Sequence, residues 1–438
     1  MEFNPLKSEL IHFTRTRRMR TDTLNILGEG NPGLAPVESA RFLGVWLDRK
    51  LSFTKHQKII LQKMETQKLA LERLAGKTWG VRLDRARQIY TMVVRSVMSY
   101  GANIWHTPTL RKGKARGIVR KLCSQQTKCL RTAIGAYKAT PVRNVEAEAW
   151  CPPLDLYLTK WVAKAEQRLQ RTGMTELLRT ACEVVASRLR RRRPRRGEGR
   201  IKQPNSGILK AEWAKQWLQP PRWAQNSGGE VDWTELDPDR RLKAEWRARR
   251  SEQQTIALRR RTGRGMEPAD LFNLRGKPPE HFPLNLHSGL TKAKSSLLTQ
   301  LRTGAIGLNA FLFRMKARDV NTPLCRCVGA PETAAHIFLN CPEYAQSREQ
   351  AGLPRVRDGS TFKEALSHTA TAAKLMTWFY NTSRIEMYNL AREIERLNSE
   401  EEAAGGRKKV VAAREKRRRE EEERSAKGRR RGRTVPGL

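Results

Sequence analysis

Cys325-Arg326-Cys327, eight further residues, His336, four more and Cys341 place three thiols and an imidazole inside 17 residues. This array constrains its local fold more tightly than any other segment, because four soft ligands are what a closed tetrahedral zinc site takes. In an extended stretch, residues two apart project to the same side, so the spacing predicts that Cys325 and Cys327 point together. Thr333 is placed to N-cap a short helix that carries His336 in its first turn. Pro342 disfavours helical geometry at Cys341, which predicts that the last sulfur turns out of that helix toward the imidazole. One residue separates the first two cysteines, where two to four are usual. The competing reading is a pair of buried cysteines beside a hydrogen-bonded histidine. All four ligands are local, and a catalytic site keeps only three, so a metal here is expected to be structural Zn²⁺.

Charge dominates the rest. Lysine and arginine number 86 against 44 acids, a formal net charge of +42 over 438 residues, and 38% of the residues are hydrophobic. That share lies below the roughly 45–50% of globular domains, so core material is present while much of the chain stays solvated and positive. Such a field attracts polyanions, and nucleic acid is the commonest large one. The seven cysteines are odd in number. Met1 leads into a polar segment without the apolar stretch of a secretory signal, and no run approaches the ~20 apolar residues of a membrane span. A nuclear or cytoplasmic location is expected rather than secretion, with Cys123, Cys129, Cys151 and Cys182 as core thiols.

Along the chain, residues 8–13 and 42–48 read as short strands separated by a Gly/Pro/Asn-rich loop. Ile60, Met64, Gln67, Leu71 and Leu74 mark a helix stopped by Gly76. Ile89, Val93, Val97, Tyr100 and Ile104 mark a second. A third is expected from about Gly117 to Gly135, and a fourth from Pro152-Pro153 through Leu169, together a small bundle. From Arg188 to about Glu280 the sequence reads as a basic, poorly ordered connector. Its tryptophans either pin short helices onto a neighbour or stack on bases, and Asp232, Glu235, Asp237 and Asp239 read as solvated loop acids. Leu290, Leu297, Leu298 and Leu301 predict a helix capped by Gly304. Ile306, Ala310 and Phe313 predict another, with Arg314, Lys316 and Arg318 on its opposite face. A last apolar helix around Leu375 to Leu397 grades into a tail carrying Lys416-Arg417-Arg418-Arg419 and Arg429-Arg430-Arg431.

Several of these blocks resemble the C-terminal part of a non-LTR (LINE-type) retrotransposon polyprotein, most closely the fungal kind. Asn4-Pro5-Leu6-Lys7-Ser8-Glu9 with Ile11-His12-Phe13 is similar to the reverse-transcriptase palm just after its catalytic strands. Phe42-Leu43-Gly44-Val45-Trp46-Leu47-Asp48 with Leu51-Ser52-Phe53 is similar to the palm-to-thumb hairpin. Tyr100-Gly101 with Trp105, and Ala139-Thr140-Pro141, resemble thumb helices. The run from Leu286 to Ala293, then Gln300 to Gly304, then Cys325 to Cys341, resembles the carboxy-terminal helices and CCHC element. The blocks cover residues 4–170 and 286–342 in the family's order.

The resemblance implies a mainly α fold. Residues 1–53 would be the end of a palm with a short β-hairpin remnant, and 54–187 a helical thumb bundle. Residues 188–280 would be the disordered basic connector, 281–350 helices with a small zinc-binding module, 351–398 a C-terminal helix and 399–438 a charged tail. Polymerase chemistry would need carboxylates holding Mg²⁺, which a full-length relative supplies from a Tyr-x-Asp-Asp turn. That turn would lie upstream of Asn4, and no Asp-Asp dipeptide occurs in the chain. The expectation is therefore a truncated, catalytically silent reverse transcriptase that binds RNA or an RNA/DNA hybrid, not a membrane or a small-molecule substrate. Binding is expected through Lys7, Arg190, Arg191, Arg192, Arg193, Arg302, Arg314, Lys316 and Arg318, with Cys325, Cys327, His336 and Cys341 holding the zinc. One alternative is a free-standing basic zinc-binding chaperone or gag-like protein. The other is an active polymerase whose aspartates sit on a longer product.

Overall fold

The computed structural model describes residues 8–13, 23–25, 33–106, 108, 117–191, 210–219, 232–260, 282–353, 362 and 364–403. Among them the chain is mainly helical, with one two-stranded antiparallel sheet. Strand β1 (Ser39–Phe42) pairs with β2 (Val45–Asp48), Phe42 opposite Val45. Leu43 and Gly44 turn the chain with φ of 45° and 83°, the doubly positive pair that a two-residue hairpin needs. The segment Phe42–Asp48, read above as one strand, is thus a strand end, a turn and a second strand. Residues 8–13 form no strand either; Leu10 makes an isolated bridge to Pro36. The Asp48 carboxylate accepts from the backbone N–H groups of Ser52 (2.8 Å) and Thr54 (3.1 Å) and so ties the hairpin to the helix that follows.

That helix is α1 (Thr54–Leu74), which buries Ile60, Met64 and Leu71. Next come α2 (Leu83–Ile89), a π-helical turn (Tyr90–Val94), α3 (Arg95–Ser99) and α4 (Ala102–Trp105). Here the buried stripe is Ala86, Tyr90, Val94 and Met98, whereas Val93, Tyr100 and Ile104 face solvent. The sequence carries two apolar stripes one residue apart, and tertiary packing selects between them. Tyr90 enters the core because its hydroxyl meets Gln126 Oε1 at 2.6 Å, satisfying the polar end of a buried ring. Helices α5 (Gly117–Ile134), α6 (Val142–Glu148) and α7 (Leu154–Arg171) complete the bundle. Its core unites Met64, Leu71, Tyr90, Leu122, Leu130, Ile134 and Leu158.

Beyond α8 (Met174–Arg191), the stretch expected to be poorly ordered holds α9 (Ala211–Leu218) and α10 (Pro238–Arg260). Both lie on α7. Trp217 and Trp246 are buried, and Trp246 sits 5.4 Å from the Trp150 ring, so these tryptophans pin helices to a neighbour. Asp239 is no solvated loop acid, because Lys160 (2.8 Å) and Lys164 (2.6 Å) hold it at the start of α10.

A second core follows. Helices α12 (Lys292–Thr303), α14 (Ala345–Gln350), α15 (Thr369–Asn381) and α16 (Asn389–Ala403) gather around it, α13 (Asn309–Arg314) follows α12, and α11 (Phe282–Asn285) packs on the first core through Leu284. Leu297, Leu298, Leu301, Ile337, Phe338, Leu375 and Phe379 fill it. The single helix expected around Leu375–Leu397 is two, broken where Ser383 takes φ 61°. Gly304 caps α12 in the left-handed region as expected.

Helix α12 is buried along its length and locks the two cores together. Lys292 Nζ donates to the carbonyl of Thr132 (3.0 Å) at the end of α5, and Gln300 Nε2 to that of Gly135 (3.0 Å). No helix among the described residues is long and apolar enough to cross a membrane.

Candidate metal centre

The four predicted ligands converge. The ligand atoms of Cys325, Cys327, His336 and Cys341 all lie within 4.8 Å of one another. Cys325 Sγ is 3.7 Å from Cys341 Sγ, and Cys327 Sγ is 3.2 Å from His336 Nε2. Two sulfurs held about 2.3 Å from a tetrahedral ion would lie about 3.8 Å apart, so the first pair already has the required edge. These residues can hold one metal ion.

Local chemistry builds each corner. Cys325 and Cys327 do not project from an extended stretch as expected. The Val328 N–H donates to the Cys325 carbonyl at 2.9 Å, which makes a tight turn with Arg326 and Cys327 at its centre. Val328 takes φ 60° to leave it. The turn still brings both sulfurs to one side, and the Cys325 N–H bond to the Ala330 carbonyl (2.9 Å) closes its base. On the other side, Thr333 Oγ1 accepts from the His336 N–H at 3.1 Å, the expected N-cap. His336–Asn340 winds as a π turn, with the Cys341 N–H donating to the His336 carbonyl at 2.8 Å. Cys341 then adopts extended geometry before Pro342 (φ −67°, ψ 121°) and turns its sulfur inward.

Cys325, His336 and Cys341 are buried and Cys327 is partly so. A backbone N–H from Gly329 holds the Cys327 thiol below its ordinary value, whereas burial pushes Cys325 up to about 12. A metal must therefore displace protons to bind, and its affinity rises with pH. Four protein ligands leave no open position, so the arrangement suits a structural ion rather than a catalytic one.

Residues that no motif flagged hold the loop in place. Glu332 is fully buried; its carboxylate accepts from the Asn309 N–H at the start of α13 (2.8 Å) and pairs with Arg384. Arg348 Nη1 donates to the carbonyls of Ile337 and Cys341, both at 2.8 Å. An acid in so basic a chain was the available sign for Glu332; its long-range partner carried none.

The expected nucleic-acid contacts separate into three groups. Arg314, Lys316 and Arg318 are exposed, although α13 ends at Arg314 and the other two follow in the chain beyond it. Lys7, Arg192 and Arg193 lie outside the described residues, as do the tail's basic blocks, and Arg190 and Arg191 close α8. Arg302 is a correction. Its side chain is wholly buried, with Nε 3.1 Å from both Glu148 carboxylate oxygens, so it cannot reach a nucleic acid. Burial disfavours the Glu148 charge, but the guanidinium outweighs it and holds the carboxyl below its ordinary value. Ser295 Oγ, 2.8 Å from His287 Nδ1, extends this cluster. The string looks like a hydrolytic triad, yet Ser295, His287 and Glu148 are all buried, so it offers a substrate no access. No protein-family model, curated protein or solved structure matches the chain.

Proposed function

We propose that this chain is a nucleic-acid-binding protein of the LINE-type reverse-transcriptase family. Cys325, Cys327, His336 and Cys341 hold a structural Zn²⁺, and the basic surface grips RNA or an RNA/DNA hybrid. The observation that carries the reading is a closed four-ligand cluster, with Arg326 exposed in its turn and Arg314, Lys316 and Arg318 exposed in the segment that precedes it in the chain, in a protein of net charge +42. Thiolate and imidazole in a compact set of four favour zinc over the harder cations. When bound, the ion would tie the Cys325–Cys327 turn to the π turn, so that metal binding becomes folding free energy. Membership of the family rests on the ordered sequence blocks, and a hairpin leading into α1 is the order such a palm-to-thumb junction requires.

Phosphate contacts position a protein without reading sequence, so affinity is expected to be broad. No Asp-Asp dipeptide occurs in the chain, and no nucleotide-transfer step is assigned to it. The thiols Cys123, Cys129 and Cys151 are unbridged, which fits a reducing nucleus or cytoplasm.

Anisotropy of a labelled RNA, titrated with the purified chain across a range of salt, tests the proposal. Log K should fall linearly with log salt, with a slope of about −0.7 per phosphate neutralised on a single strand. Replacing Arg314, Lys316 and Arg318 together by alanine should reduce the slope by about 2. A salt-independent affinity, or none at all, would refute it.

A further inference from the structure

Between α5 and α10 runs a cleft of about 2010 Å³, walled by Arg120, Ser124, Thr127, Lys128 and Arg131 on one side and Arg241, Ala248 and Arg249 on the other. We propose that this cleft is a channel for an unpaired nucleic-acid strand, whose phosphates lie along α5 on Arg120, Lys128 and Arg131. The inference rests on the nucleic-acid reading above and adds where the strand runs and why it is single.

Charge is the first argument. Arg120, Ser124 and Lys128 follow at four-residue intervals, so they line one helix face, and Arg131 lies one turn beyond. Arg120 and Lys128 are exposed and neither closes a salt bridge among the described residues, although the Lys128 charge reaches the Glu65 carboxylate of α1. Arg131 gives Nη2 to the Thr140 carbonyl (2.8 Å), but its Nε is buried at the wall with no partner. Lys138 and Arg143 extend the cationic lining. The acids that line the cleft oppose this weakly. Asp155 is taken up by Arg249 (2.8 Å) and Glu245 by Arg241 (2.5 Å). Burial pushes the Glu146 carboxyl up to about 8, so it is largely neutral at pH 7. Glu72 and Glu252 remain.

Size is the second. The lining runs along α5 from Val119 to Thr132, about 20 Å at the helical rise, so the mean section is about 100 Å², close to that of one α-helix. The major groove of a duplex is itself about 12 Å wide, so a whole duplex does not enter. A single strand does, with Thr159, Gln216 and Gln253 available to base edges.

The test compares a labelled, unstructured oligouridylate with an RNA/DNA hybrid, using the full chain and R120A/K128A. Both residues are exposed, and an unchanged melting temperature verifies the fold. Losing two phosphate contacts should weaken oligouridylate binding about tenfold and reduce its salt slope by about 1.4, with the hybrid little affected. K138A/R143A should act in the same direction. If the wild-type chain binds neither probe, the nucleic-acid reading fails and this inference with it. If it binds oligouridylate and R120A/K128A leaves affinity and slope intact, the channel alone is overturned. An equal loss on both probes also overturns it, because the cations would then be serving an open surface.

Discussion

Replacing Arg302 by methionine separates a structural arginine from a nucleic-acid contact. The guanidinium donates to both oxygens of Glu148, to the Leu366 carbonyl, and to nothing in solvent. Methionine keeps much of the volume but strands a buried carboxylate, which costs about 3–5 kcal/mol in comparable pairs. At about 1.4 kcal/mol per factor of ten, the folding equilibrium falls roughly a hundredfold to a few thousandfold. Urea denaturation followed by circular dichroism should show a lower midpoint. E148M/R302M should recover much of the loss, because the double change removes the pair rather than half of it. Glu148 also sets a pH signature. Its folded pKa is depressed, so its contribution is present above the unfolded value and is lost as pH falls through the folded one. The destabilisation by R302M should therefore shrink in acid. Where the variant is folded, its RNA affinity and salt slope should match wild type. A variant as stable as wild type but with weaker RNA binding and a shallower slope would refute this reasoning.

Three other outcomes are expected. Chelating the metal should raise amide exchange across residues 325–341 and leave α5 protected; unchanged exchange would mean that the loop folds without metal. E146Q should stabilise the chain increasingly as pH rises from about 4.5 to about 8, since a carboxyl with a raised folded pKa stabilises fully only below its unfolded value; a gain independent of pH in thermal melts would point to another cause. G135A should destabilise strongly, because Gly135 has φ 69° and an added Cβ would lie 1.8 Å from Ser296 Oγ; a melting temperature equal to wild type would show that α12 does not press on the end of α5.

Local features were legible and long-range ones were not. Helices α1, α5, α7 and α12 follow from their apolar spacing and from Gly304. The four metal ligands follow from spacing, and the roles of Thr333 and Pro342 are local sterics that the structure reproduces. The turn at Cys325–Val328 was missed because Val328 takes a left-handed conformation that a branched residue rarely adopts. The choice between the Ile89/Val93/Val97 and Tyr90/Val94/Met98 stripes lies with α5, through Gln126. Helix α10 offers only the short apolar pair Leu242 and Trp246 within a strongly charged sequence, and the lysines that anchor its start lie on α7. Arg302 looked like a surface cation because its partner, Glu148, is 154 residues away.

X-ray absorption at the zinc edge of the protein purified without added metal is the most direct test. The four-ligand site requires one zinc per chain, with three sulfur neighbours at about 2.3 Å and one nitrogen at about 2.0–2.1 Å. Absence of zinc, or a shell in which water oxygen replaces one of these ligands, would contradict a closed structural centre.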